Sequence, residues 1–178
     1  MRKEHHMALQ LVLANISEML QLRGWFNSAA QQQSWGGDDF DYPCTEQHFL
    51  ELLCRSGTTG YSLLTEDHQQ LIGFGQLCDR FGCHHLARLT ILPTCRGQGL
   101  AKILINELII EALQQQRRDI SLYVHRHNDI ALTCYKSIGF RTSSPPEPIN
   151  NRVYFMRLPF EQALTLANTY LASSSENA

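Results

Sequence analysis

Arg96-Gly97-Gln98-Gly99-Leu100-Ala101 is the stretch of sequence that decides the fold. It follows a predicted strand, Leu86–Leu92, which Pro93 ends because proline cannot donate to a continuing ladder of hydrogen bonds. It precedes a predicted helix, Leu100–Leu113, whose residues are strong helix formers with a broad apolar face. The free N–H groups and the dipole of a helix N-terminus attract anions, and glycine lets a phosphate approach the backbone. The turn therefore predicts a pyrophosphate site beside an arginine.

The spacing of this turn excludes two common nucleotide-binding motifs. The Gly-Lys-Ser/Thr sequence of a magnesium-nucleotide P-loop is absent. The pattern is also not Gly-x-Gly-x-x-Gly, and no acidic residue ends the next predicted strand to hold a ribose. Arg-x-x-Gly-x-Ala after a strand resembles instead the coenzyme A signature of the GNAT family of N-acetyltransferases. A plain helix-capping loop is the alternative that this motif alone leaves open.

Length and composition fit one globular domain. The 178 residues are 43% hydrophobic, enough for one full core, and we expect a single domain over 1–172 with a disordered tail over 173–178. The net charge of −2 argues against broad binding to nucleic acid or to an anionic membrane. No apolar run reaches the roughly 18 residues of a membrane span.

The cysteines and the N-terminal segment predict a cytoplasmic protein. The six cysteines form no Cys-x-x-Cys pair and no framework spacing, which favours reduced thiols. The apolar run from Met7 to Ala14 is short, is interrupted by Gln10 and continues into a helical pattern, so we do not interpret it as a signal sequence.

The chain alternates between predicted strands and helices in the order β-α-α-β-β-β-α-β-α-β-β. This order indicates an α/β protein with a mixed sheet and helices on both faces. The predicted strands are Ala8–Leu13, Tyr61–Thr65, Leu71–Leu77, a strand from Cys83, Ile120–His125 and Val153–Leu158. The predicted helices are Glu18–Phe26 capped by Ser17, a short one capped by Thr45, Leu100–Leu113, one between Asn128 and Gly139, and Phe160–Leu171. The predicted loops are Asn27–Pro43 and Ser143–Asn151.

A second motif strengthens the resemblance to the GNAT family. The sequence Asn128-Asp-Ile-Ala131-Leu-Thr-Cys-Tyr135-Lys-Ser-Ile-Gly139-Phe140 resembles the family pattern Asn-x-x-Ala-x-x-x-Tyr-x-x-x-Gly-Phe. The match is close over Cys83–Phe140, moderate over Tyr61–Gly82 and only topological before that. The resemblance implies the GNAT acyl-CoA N-acyltransferase fold, in which the fourth and fifth strands splay apart to admit the pantetheine arm.

The resemblance also implies which residues hold acetyl-CoA. The backbone of Leu89, Thr90 and Ile91 is expected to bind the pantetheine arm, and one N–H to stabilise the charge that grows on the thioester oxygen. Their side chains are expected in the core. The diphosphate is expected on Arg96, Gly97, Gln98, Gly99, Leu100 and Ala101, and the second motif adds Asn128, Ala131 and Tyr135.

Tyr135 is the candidate general acid for the departing thiolate, because a phenol with a pKa near 10 is protonated at neutral pH. The alternative is a core tyrosine with a satisfied hydroxyl. Asn128 also has alternative roles, because it can serve as a helix N-cap, as a contact to the pantetheine amide, or as both.

The general base is less well determined by the sequence. His85 lies four residues before Leu89, where related histone acetyltransferases carry a catalytic glutamate, and an imidazole suits proton removal from an amine. The alternative is a strand histidine with a structural role. His84, His125 and Glu147 are lesser candidates, and some relatives use only ordered water.

Histidines and a cysteine on adjoining strands raise the question of a metal site. Side chains alternate along a strand, so at most His85 with Cys83, or His125 with His127, share a face. Zinc needs three or four converging ligands. We therefore expect no metal.

The acceptor site is expected in the loop Trp35–Tyr42, because the loop between the first two helices and the loop before the last strand border the acceptor side in the family. Trp35, Asp38, Asp39 and Tyr42, together with Asp41, would attract a cationic amine through charge and cation–π contacts. The alternative is an ordinary solvated acidic loop.

Three functions remain open from the sequence. The first is direct transfer of the acetyl group of acetyl-CoA to a primary amine, on a small molecule or a peptide, in a ternary complex. A covalent acyl-enzyme is not expected, because no cysteine matches a family nucleophile and Cys134 is expected to pack. The second is a non-catalytic coenzyme A binding or sensing module, and the third is a metal-binding regulator. The partners are expected to be acetyl-CoA and the amine, in a monomer or homodimer without nucleic acid or membrane.

Overall fold

A computed structural model describes residues 8–67 and 70–175 of the chain. Seven strands form one sheet in the order β1-β2-β3-β4-β5-β7-β6, and only β4 and β5 run parallel to each other. The strands are β1 Leu9–Leu13, β2 Thr58–Thr65, β3 Leu71–Arg80, β4 Cys83–Ile91, β5 Ile120–His125, β6 Arg141–Ser143 and β7 Val153–Leu158. The predicted mixed sheet is confirmed.

Helices cover both faces of the sheet, as predicted. They are α1 Ile16–Gln21, α2 Ala29–Gly36, α3 Glu46–Leu53, α4 Leu100–Gln115, α5 Asp129–Ile138 and α6 Phe160–Ser175. Alternation along β2 sends Leu63 into a core formed with α4, α5 and α6, and Leu64 into a second core formed with α1, α2 and α3. The two cores lie on opposite faces of the same sheet.

The first helices differ from the sequence prediction. The N-cap of α1 is Asn15 and not Ser17, because the Asn15 side chain and Glu18 form a reciprocal capping box. A 3-10 turn, Leu22–Trp25, then completes the segment that was predicted as one helix.

The helix α2 lies within Asn27–Pro43, which was predicted to be a loop. Its N-cap is Ser28, whose hydroxyl accepts a hydrogen bond from the backbone N–H of Gln31. The glutamine-rich sequence gave no apolar period to reveal this helix, and its buried residue is the polar Gln32.

The ends of two other elements also differ from the prediction. Strand β2 begins at Thr58 and not at Tyr61. The final helix extends to Ser175, so Ser173–Ser175 of the predicted tail are helical, whereas 176–178 lie outside the described residues.

The fourth and fifth strands part, as predicted. They pair only from His84 to Leu86, beyond which β4 pairs with β3 alone and β5 with β7 alone. The parting begins at a β-bulge, where Phe74 lies opposite Thr90 and Gln76 opposite Ala87, so that two residues of β4 face one of β3. A bulge bends the strand that carries the extra residue and increases its twist, which carries β4 away from β5.

Candidate active site

The predicted anion-binding turn is open at its backbone. Gly97 and Gly99 have φ angles of 75° and 79°, which favour glycine, and a Cβ on either would meet nothing within 4 Å. Gly99 is the N-cap of α4, and no side chain caps this helix. The first N–H groups of α4 therefore face an exposed turn without a side-chain acceptor, which is the arrangement that binds phosphate in other proteins.

Arg96 is held beside this turn by the end of β4. Its Nε donates to the backbone oxygen of Ile91, with an N–O distance of 3.1 Å. Within the described part of the chain, its two terminal nitrogens make no hydrogen bond. The guanidinium is thus oriented by the strand and keeps donors for an anion.

The segment of β4 that precedes the turn has an edge without a strand partner. Leu89 and Ile91 pack their side chains in the core with α4, and Thr90 is buried on the other face. Because β5 has parted from β4 here, the backbone of these residues borders the cleft. An extended ligand can bind such an edge as an added strand does.

The helix α5 holds Tyr135 against the core on the α4 face of the sheet. Its ring packs near that of Phe140, with centroids 6.1 Å apart, and burial raises the pKa of Tyr135 above its usual value. The phenol is therefore protonated at neutral pH. Its hydroxyl makes no hydrogen bond to any described residue, and its role as the general acid stays a prediction.

Asn128 caps α5, as predicted. Its Oδ1 accepts a hydrogen bond from the backbone N–H of Ala131 at 3.1 Å. The side chain is exposed, which leaves its amide N–H groups for a further acceptor. A contact to the pantetheine arm stays a prediction, as does the contribution of Ala131.

His85 is buried on the face of the sheet opposite α4. Its Nδ1 and the Ser121 hydroxyl oxygen are 2.9 Å apart, and its ring centroid lies 5.0 Å from that of Tyr123. Burial, and secondarily the positive charge of Arg80, lower the pKa of His85 to about 4. The imidazole is therefore neutral at physiological pH, but it is a weak base.

The other candidate bases have different surroundings. His84 lies on the α4 side of the sheet, where its Nε2 is 2.9 Å from the backbone oxygen of Gln116. Glu147 lies on the same face as His85, and it accepts hydrogen bonds from Arg80 at 2.8 Å and from the Tyr123 hydroxyl at 3.1 Å. Of these candidates, Glu147 is the one that adjoins His85 across Tyr123.

The residues considered for a metal site do not form one. Among residues 8–67 and 70–175, no group of three or more His, Cys, Asp or Glu side chains could hold a metal ion. The rings of His125 and His127 are neighbours, with centroids 5.4 Å apart, and all six cysteines are free.

The acidic loop is less open than the sequence suggests. The half-buried ring of Trp35 packs against Phe26, and its indole N–H donates to the backbone oxygen of Arg88 at 2.7 Å. Asp39 forms an ion pair with Arg55 at 2.9 Å. Exposed Asp38 and Asp41 remain outside any ion pair between described residues, and Tyr42 is also exposed, at 42%. Trp35 and Asp39 therefore already have interaction partners within the protein.

The structure brings to this face an arginine that the sequence analysis did not select. Arg88 sits at the bulge of β4 with a φ angle of 50°, and its Nη1 donates to the Gln76 side chain at 2.7 Å. Its guanidinium carbon is 5.5 Å from the ring centroid of Phe40, and its buried Nε has no hydrogen-bond partner in the described part of the chain. The signal was a charged residue inside an apolar strand.

In the described part of the chain, no helix is long and apolar enough to cross a membrane.

Comparison with solved structures gives the same fold. The chain is similar to the spermidine N-acetyltransferase from Vibrio cholerae in complex with CoA and spermine, with a TM-score of 0.69, 19% identity, and coverage of 88% of this chain and 98% of that one. It is also similar to the aminoglycoside acetyltransferase AAC(6')-Ib in complex with coenzyme A, with a TM-score of 0.70, 16% identity, and coverage of 87% and 96%.

The family comparison rests on the sequence itself. The model of the acetyltransferase (GNAT) family matches residues 19–140, which include the parted strands, the glycine turn and α5. The match spans more than half of the chain, and the protein therefore belongs to the GNAT acetyltransferase family.

Proposed function

We propose that the protein transfers the acetyl group of acetyl-CoA directly to a primary amine in a ternary complex. The observation that carries this proposal is the parting of β4 from β5 beside the uncapped N-terminus of α4. These two features provide a slot for an extended arm and an anion site at its end. The solved relatives, a spermidine and an aminoglycoside acetyltransferase, act on amines, which supports the same acceptor class.

In this proposal the cofactor lies along three elements. Its diphosphate binds the turn from Arg96 to Ala101, and its pantetheine arm pairs with the backbone of Leu89, Thr90 and Ile91. Asn128, Ala131 and Tyr135 face the arm from α5. The thioester then lies where the strands part, and a backbone N–H of β4 stabilises the negative charge on its oxygen.

The reaction needs one proton donor and one proton acceptor. The amine nitrogen attacks the thioester carbon, the C–S bond breaks, and the thiolate takes the proton of the Tyr135 hydroxyl, which has no hydrogen-bond partner among the described residues. Solvent then returns a proton to the Tyr135 phenolate. With a pKa of about 4, His85 is a weak base toward an ammonium group. We propose that His85 accepts the proton of the amine only transiently and that solvent then removes this proton from His85.

We also propose that the protein works in the cytoplasm, which agrees with its six free cysteines. Its state as a monomer or homodimer stays a prediction.

The test of the function is thiol release from acetyl-CoA in the presence of polyamines, aminoglycosides, amino acids and peptides. The proposal predicts amine-dependent thiol release and an acetylated amine. Binding of acetyl-CoA without thiol release for any amine would instead support a non-catalytic coenzyme A module.

Tyr135→Phe should lower kcat about a hundredfold with little change in coenzyme A affinity, because it removes only the proposed acid. The rate is measured by thiol release and the affinity by calorimetry. Tyr170→Phe on α6 is the matched control, since its hydroxyl pairs with Glu107 away from the cleft. An unchanged kcat for Tyr135→Phe would show that this tyrosine only packs.

Arg96→Ala should weaken coenzyme A binding about tenfold, because a charge-assisted contact to the diphosphate is lost. Calorimetry with coenzyme A measures the affinity. The control is Arg117→Ala, which removes an arginine that stacks on Phe160 instead. Equal affinities of the two variants would exclude Arg96 from the site.

The double variant Asp38→Asn, Asp41→Asn should raise the KM for a cationic amine about threefold or more, because two exposed carboxylates no longer attract it. The measurement is the KM at low salt, where screening is weak. Glu161→Gln, at the start of α6, controls for a change in net charge alone. An unchanged KM would support the alternative of an ordinary solvated loop.

His85 should make the protein less stable as the pH falls from about 6.5 toward 4. The folded-state pKa of about 4 lies below the ordinary value of 6.5, so in this window the unfolded chain binds a proton that the folded chain does not. The loss is up to about 3 kcal/mol of unfolding free energy. Urea unfolding at several pH values should show a flatter dependence for His85→Gln, but not for His48→Gln on α3, whose side chain is 41% exposed. Identical slopes for wild type and His85→Gln would contradict the lowered pKa.

A further inference from the structure

Arg88 lies at the point where the two strands part. The bulge adds one residue to β4 opposite Gly75, so Arg88 and Ala87 both face the side of the sheet opposite α4. His85 and Tyr123 lie on this same face. Tyr135 and the glycine turn belong to α5 and α4 on the other face. The side of Arg88 is thus the side left for the acceptor.

The guanidinium of Arg88 is fixed in place by the protein. Its Nη1 donates to the Gln76 side-chain oxygen, and the Gln76 amide donates in turn to the backbone oxygen of Leu53 at 2.8 Å. Its backbone oxygen accepts the indole N–H of Trp35, and its guanidinium lies near the ring of Phe40. These contacts orient the side chain before any ligand binds.

No carboxylate in the described part of the chain pairs with Arg88. Asp39, the carboxylate whose charge acts on Arg88, forms an ion pair with Arg55. A partly buried cation without a counter-ion is costly, and burial lowers the pKa of this guanidinium. An anion that binds here would gain a charge-assisted hydrogen bond in a poorly solvated place.

One nitrogen of Arg88 is available for such an anion. Nη1 donates a hydrogen bond to Gln76, and Nε is enclosed with no hydrogen-bond partner among residues 8–67 and 70–175. Nη2 makes no hydrogen bond to a described residue and is absent from the enclosed unpaired atoms, so it remains accessible.

We propose that the acceptor is a free amino acid, whose carboxylate binds Arg88 while its amino group reaches the thioester. This inference rests on the proposed acetyl transfer and narrows its substrate class. One uncompensated cation matches the single charge of a carboxylate, whereas a phosphate would need a second free cation, and Arg55 and Arg80 already have acidic partners. The exposed acidic loop attracts the ammonium end of the same molecule.

The experiment compares amino acids with their carboxamides, which keep the amine and lose the carboxylate charge. Thiol release from acetyl-CoA by wild type should show a kcat/KM at least about tenfold higher for the acid than for its amide. Arg88→Gln should remove this difference by raising the KM for the acid, with little change for the amide. Arg117→Gln, which removes an arginine that stacks on Phe160, should keep it.

A second variant, Arg88→Lys, shows whether the effect of Arg88→Gln could come from misfolding. Arg88→Lys keeps the positive charge but not the planar donor set, so it should keep part of the preference for the acid. Calorimetry with coenzyme A shows whether each variant retains a folded cofactor site.

The other outcomes separate this inference from the proposed function. Equal rates for acids and amides, or a preference for polyamines or for phosphoethanolamine, would overturn the amino acid as acceptor while leaving acetyl transfer intact. A preference for the acid that survives in Arg88→Gln would overturn the role of Arg88. No thiol release with any amine would overturn both proposals.

Discussion

The cleft depends on the point at which the hydrogen bonds between β4 and β5 end. Both strands are long enough to pair further, but the bulge at Arg88 gives β4 one residue more than its partner on the other side. The extra residue bends the strand, and pairing with β5 ends at Leu86. The same bend leaves a backbone edge free inside the molecule, where a free edge is otherwise costly. A ligand that completes this edge therefore gains hydrogen bonds that the protein has already prepared.

Two features keep the bend in place. Gly75 faces the extra residue, and a Cβ there would come within 2.8 Å of the Leu89 side chain and 2.7 Å of the Leu108 side chain. Trp35 fixes the other side by donating its indole N–H to the Arg88 backbone oxygen. Through this bond, the aromatic cluster of the α2 side supports the strand that borders the cleft. The cores on the two faces of the sheet thus both stabilise the bend of β4.

Elements that follow a local sequence pattern could be predicted from the sequence, whereas elements that depend on contacts across the chain could not. The glycine turn and the cap of α5 are each formed by residues that are close in sequence. The turn at Gly99 and the N-cap Asn128 were therefore predicted correctly. The helix α2 was missed because its contacts are long-range and its sequence is polar. The depressed pKa of His85 could not be predicted, since it arises from burial and from Arg80 on another strand.

The sequence by itself determined the family, most of the strands and helices, the glycine turn before α4 and the cap of α5, because local propensity and spacing carry that information. Only the tertiary structure decided which charged side chains have an ion-pair partner. It matched Asp39 with Arg55 and Glu147 with Arg80, residues that are distant in sequence, and among the described residues it left no carboxylate paired with Arg88. Whether a charge is compensated depends on distance and burial in three dimensions, which no linear pattern records.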